Sequence, residues 1–87
     1  MIWDVRLTNN SENDKKLIKQ AGLESKVKKL LDVLAINPYQ NLPSYEKLSG
    51  DLTGYYSRRT NIQHRLIYRI DESKCMVIVH AMWSHYE

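Results

Sequence analysis

From Ile2 to Leu7 the chain alternates, with Trp3, Val5 and Leu7 on one side and Ile2, Asp4 and Arg6 on the other. A period of two is that of a half-buried strand. The period then lengthens. Ser11-Glu12-Asn13-Asp14 resembles a capping box, with Asp in place of the usual Glu, and predicts a first helix running to about Gln20 that stops at Gly22. Leu23, Val27, Leu30, Leu31 and Leu34 stand at i, i+4, i+7, i+8 and i+11, which is one apolar stripe on a second helix. Asn37-Pro38 ends it, because the residue before a proline is pushed out of the helical region. Residues 38–53 hold both prolines and show little periodicity. They predict a surface loop with one short strand near Tyr45 to Leu48. Three further strands are predicted over Tyr55 to Thr60, His64 to Ile70 and Cys75 to Met82, separated by turns at Asn61-Ile62-Gln63 and Asp71 to Lys74.

The order β-α-α-β-β-β predicts an α+β fold over residues 1–87, read as one domain. A two-helix hairpin should pack on one face of a small, largely antiparallel sheet. In the strand from His64 to Ile70, Leu66, Tyr68 and Ile70 share one face, while Arg65, Ile67 and Arg69 share the other. Trp3 and Trp83 read as packing residues. Tyr55 and Tyr56 alternate, so one packs and the other stands near any ligand.

Composition alters this picture through the placement of charge. The chain has 87 residues and a net charge of +3, which is only modestly basic. Residues 11–36 carry six Lys against four acids, the pattern of a solvated helix surface; contact of some of these lysines with ribosomal RNA is the lesser alternative. Residues 47–69 carry Lys47, Arg58, Arg59, Arg65 and Arg69 against Asp51 alone. Arginine is the better fork for phosphate. Cys75 is the sole cysteine, which excludes a disulfide framework. Cys75, His80 and His85 lack the spacing of a metal site, and no cofactor is implied. No apolar run approaches the ~20 residues of a membrane span and no signal segment opens the chain, so a cytoplasmic protein without membrane attachment is expected.

If the turn at Ile62 is symmetric, Arg59 lies opposite Arg65. Like charges directly across a strand pair are destabilising, and convergence on an anion would relieve them. Glu46 precedes this hairpin, and His85-Tyr86 follows the last strand. A carboxylate, guanidinium groups and an imidazole form a complete set for metal-free RNA cleavage: a base for the 2′-hydroxyl, cations for the phosphorane and an acid for the leaving 5′-oxygen. His64 and His80, each within a core-facing strand, read as structural.

The run Glu46-Lys47-Leu48, Leu52-Thr53-Gly54-Tyr55-Tyr56-Ser57-Arg58-Arg59, His64-Arg65-Leu66-Ile67-Tyr68 and His85-Tyr86 closely resembles the Txe/YoeB family of toxins from toxin–antitoxin systems, within the RelE-like superfamily. The resemblance covers nearly the whole chain and is densest over residues 46–68. It implies a RelE-like microbial RNase fold and a ribosome-dependent mRNA interferase held inactive by a YefM-like antitoxin. By the same resemblance Glu46 is the general base, His85 the general acid and Arg65 the transition-state cation. Arg59 is a supporting phosphate contact and Tyr86 orients substrate. Lys47 and Arg58 are further candidate substrate contacts, and a homodimer is possible. Three departures stand out. Ser49 occupies a position that is often Lys, a contact that Lys47 would replace. The region between Tyr68 and His85 is about two residues longer than in familiar members. Glu87 follows the tyrosine.

Three rival readings follow from the same residues. In one, the arginines bind RNA or the ribosome and nothing is cut. In another, free RNA is degraded without ribosomes. In the third, the arginines only dock an acidic protein.

Overall fold

The computed structural model describes residues 2–40, 44–61 and 64–85, with Ser84 and His85 by backbone only. Strand β1 (Asp4–Leu7) leads into helices α1 (Asn9–Gln20) and α2 (Glu24–Ile36). A short strand β2 (Tyr45–Lys47), the hairpin β3 (Tyr55–Arg59) and β4 (His64–Asp71), and a long β5 (Met76–His85) complete the chain. The sheet order is β1-β5-β4-β3-β2; β1 runs parallel to β5 and all other neighbours are antiparallel. The α+β expectation holds, and the short strand near Tyr45 forms a full edge of the sheet. The last strand starts one residue later than expected, since Cys75 takes a left-handed conformation at φ 52°, and it continues to His85.

The helices cover one face of the sheet. Ile18 of α1, Leu23 at the head of α2, and Val27, Leu30 and Leu34 of α2 bury against Leu66 and Tyr68 of β4 and Val77, Val79 and Met82 of β5. Trp3, Val5, Leu7 and Leu31 pack around this core, as the alternation and the stripe require. Fully burying each aliphatic side chain is worth about 1.5–3 kcal/mol, which is why the period of hydrophobicity decides these elements.

Helix α1 begins earlier than the capping-box pattern places it. Thr8, in extended conformation, accepts from the Ser11 amide at 3.3 Å and is the true cap. Ser11 is buried and donates to the Val79 carbonyl at 2.9 Å. Polar residues of the first turns are therefore committed to β5. The reason lies in the register. Arg65 pairs with Ser84, Ile67 with Ala81 and Tyr68 with Val79, so β5 bulges twice against β4. A bulge leaves ladder groups unpaired. Asp14 accepts from the amides of Met82 at 3.0 Å and Trp83 at 3.2 Å, while Asn10 and Thr8 donate to the His80 carbonyl at 2.9 and 3.2 Å.

Removing a partner from a buried backbone amide costs about 1–3 kcal/mol. Asp14→Ala should therefore lower the urea midpoint by an amount in that range, and Asp14→Asn, which keeps one acceptor oxygen, by less. An unchanged midpoint for Asp14→Ala would show that the carboxylate does not hold the bulge.

Candidate active site

The face of the sheet opposite the helices carries a polar hollow of about 230 Å³, lined by Ser44, Glu46, Ser57, Arg59 and Arg65. Strand alternation puts these groups there. Glu46 pairs across β2–β3 with Ser57, and Arg59 pairs across β3–β4 with Arg65, the opposition expected from the hairpin. One terminal nitrogen of Arg65 donates to a Glu46 carboxylate oxygen at 3.2 Å and to the Ser57 hydroxyl at 3.1 Å. The two partners differ in exposure: the Arg65 side chain is 5% exposed and that of Glu46 57%. The guanidinium is thus fixed in low dielectric, where fixed charge acts most strongly on a developing charge, while the carboxylate stays open to a proton donor. Arg59 is exposed and makes no ion pair among the described residues.

Ser57 was not among the residues singled out from the sequence. Its signal was available in principle, because it stands two residues from Arg59 on the same strand and so shares its face.

Arg58 is the clearest correction. The sequence makes it a candidate substrate contact, yet it is 0% exposed, on the helix-bearing face. It donates through Nε to the Tyr68 hydroxyl at 3.0 Å and through a terminal nitrogen to the carbonyls of Pro38 at 2.9 Å and Gln40 at 2.6 Å. Its guanidinium carbon also lies 5.1 Å from the centre of the Tyr45 ring. A buried charge is tolerated only when paired or fully hydrogen-bonded, and Arg58 meets that condition by gripping the segment that leads towards β2. It therefore holds Tyr45 and, one residue on, Glu46. Burial pushes the Tyr68 phenol up to about 12, against an opposing pull from Arg58. The rings of Trp3, Tyr39, Tyr56 and Tyr45 meet edge to face in that order, and Tyr56 stacks on Tyr68.

Lys47 is exposed but stands on the other face of β2 from Glu46, paired with Tyr56, so the structure does not bring it to the hollow. The backbone of His85 pairs with His64, one residue along from the Arg65–Ser84 pair, which puts it at the Arg59–Arg65 end of the sheet. The His85 side chain and the whole of Tyr86 lie outside the described residues, as does Glu87. His64 is buried and stacks on Trp83 with ring centres 3.7 Å apart, a packing role. On the open face Tyr55 meets His80 edge to face at 4.9 Å. Among the described residues no group of three or more His, Cys, Asp or Glu side chains is placed to hold a metal, and no helix is long and apolar enough to cross a membrane.

Two helices packed on one face of a five-stranded mixed sheet is the architecture of the RelE-like toxins. Within that class the chain belongs to the YoeB-like toxins of bacterial type II toxin–antitoxin systems, whose family model matches residues 4–86. A toxin YoeB from Synechocystis is 37% identical over 67 residues, covering 77% of this chain and 71% of the relative. The solved YoeB/ParE toxin of Agrobacterium tumefaciens superposes with a TM-score of 0.84 at 29% identity, covering 95% of this chain and 99% of that one. YoeB of Staphylococcus aureus, also 29% identical over 99% of this chain and 100% of its own, has been solved as a heterotetramer with YefM (TM-score 0.79) and as a dimer (TM-score 0.81).

Three substitutions test this site's scaffold. Arg58→Met should destabilise the fold by about 3 kcal/mol or more, since it strips a donor from two carbonyls and a buried phenol, and Tyr68→Phe by about 1–2 kcal/mol; chemical unfolding would read both. Burial, and then Arg69, hold the His80 imidazole below its ordinary value of 6.5. The unfolded chain then binds the proton more readily, so this contribution is present above about pH 6.5 and is lost on acidification through the lowered folded value. His80→Gln should flatten the fall in urea midpoint between about pH 7.5 and about pH 5; an equally steep fall would discount His80.

Proposed function

We propose that this toxin is a ribosome-dependent mRNA endoribonuclease that arrests translation. The observation that carries the reading is the Glu46–Arg65–Ser57 cluster: an accessible carboxylate set beside a buried, hydrogen-bonded guanidinium. Glu46 takes the proton from the 2′-hydroxyl, whose oxygen attacks phosphorus. The bond from phosphorus to the 5′-oxygen breaks, and His85 protonates that oxygen. The products are a 2′,3′-cyclic phosphate and a 5′-hydroxyl, and no metal is required. Arg65 stabilises the extra charge on the phosphorane, Arg59 contacts the phosphate, and Tyr86 orients the substrate beside His85.

Family membership supports the same reading, as does the likeness to a staphylococcal YoeB solved with YefM. A YefM-like antitoxin is the proposed partner, its acidic segment ordering as it binds. A second copy of the chain is a further possible partner, since that relative also forms a dimer. The site of action is the cytoplasm.

Glu46→Gln and His85→Ala should each lower cleavage of a translated mRNA by about 10²–10⁴-fold, read by primer extension, while ribosome binding persists. Wild-type activity in both variants would remove the mechanism. Stalled ribosomes without new 5′-hydroxyl ends would instead identify a binding module, and efficient cutting of naked RNA would end the ribosome dependence.

A further inference from the structure

Next to the catalytic hollow lies a second one of about 260 Å³, lined by Lys26, Lys29, Leu30, Val33, Arg59 and Thr60. The four residues of α2 stand at i, i+3, i+4 and i+7, one stripe of the helix. Arg59 borders both hollows. The acids of α2 line other grooves: Glu24 faces the α1–α2 cleft and Asp32 the β1 side. Among the described residues, the walls of the second hollow thus carry Lys26, Lys29 and Arg59 and no acid. None of the three makes an ion pair among the described residues. Thr60, at its base, is 7% exposed, and its hydroxyl has no hydrogen-bond partner among those residues.

Glu46 balances Arg65, but among the described residues no carboxylate pairs with Arg59, which faces it across the hairpin. An anion would relieve that opposition and the repulsion among the three cations. We propose that Lys26, Lys29 and Arg59 form a second anion subsite, which takes an RNA backbone phosphate next to the cleaved bond. The inference rests on the reading of the protein as a ribonuclease. A polymer of regularly spaced phosphates is the ligand that fills two adjoining cationic hollows with a shared wall. An acidic peptide lacks that regular spacing of charge, and its binding here is an outcome of the test.

The test is a cycle between protein and substrate. Ribosomes translating a short mRNA are presented with wild-type toxin, with Lys26→Gln/Lys29→Gln, and with Lys16→Gln/Lys19→Gln as a control on exposed lysines of α1. Each flanking phosphodiester of the cut site is replaced in turn by an uncharged methylphosphonate. The Lys26/Lys29 variant should need several-fold to about tenfold more toxin for half-maximal cleavage, with the plateau rate unchanged. Its salt dependence should be shallower by about one to two in slope. Neutralising one flanking linkage should reproduce the loss in wild type and add nothing in the variant.

Losses that add at both linkages would show that the lysines meet ribosomal RNA instead, which overturns the subsite and leaves the ribonuclease reading intact. So would an equal loss in the control variant, or normal cleavage joined to weakened antitoxin binding. Absence of cleavage by wild type would overturn both readings together.

Discussion

The fold depends on the agreement between the first turns of α1 and the irregular strand β5. A long central strand that bulges twice leaves amides and a carbonyl without ladder partners, and buried backbone groups must be paired. Asp14, Asn10 and Thr8 supply those partners, and Ser11 adds a bond to the Val79 carbonyl. The same contacts dock α1 on the sheet and set the register that aligns His85 with His64 and Ser84 with Arg65. Helix docking, strand irregularity and the position of the chain's last histidine are thus one constraint.

The second organising feature is the division of labour among neighbouring arginines. Arg58 and Arg59 are adjacent in sequence and stand on opposite faces of β3. One is sealed in the core among carbonyls and tyrosine rings, where it positions the approach to Glu46. The other is exposed between two hollows. Arg65 is intermediate in character: buried like Arg58, yet turned to the open face and matched by a carboxylate that remains accessible. On the proposed reaction, a burial that would be costly for an isolated charge becomes useful, because a preoriented guanidinium needs no rearrangement when negative charge builds up beside it.

Much of the site was legible in the sequence, for reasons of local geometry. A tight hairpin fixes its own cross-strand pairs, so the opposition of Arg59 and Arg65 followed from counting across the turn. The face of each strand residue followed from the period of two. That period also holds the reason that Arg58 and Arg59 cannot serve one phosphate, and the same alternation separates Lys47 from Glu46.

What the sequence determined by itself was the type and order of the elements, the helix stripe that makes the core, and the set of residues capable of acid–base work. These are properties of near neighbours along the chain and survive any arrangement of the rest. The tertiary structure decided which polar residues are structural. Thr8 rather than Ser11 caps α1, Asp14 serves β5, and Arg58 closes the loop ahead of β2, because each is claimed by backbone groups distant in sequence. A side chain's hydrogen-bonding capacity is fixed by its chemistry, but the orphaned groups that compete for it exist only once strands and helices have met.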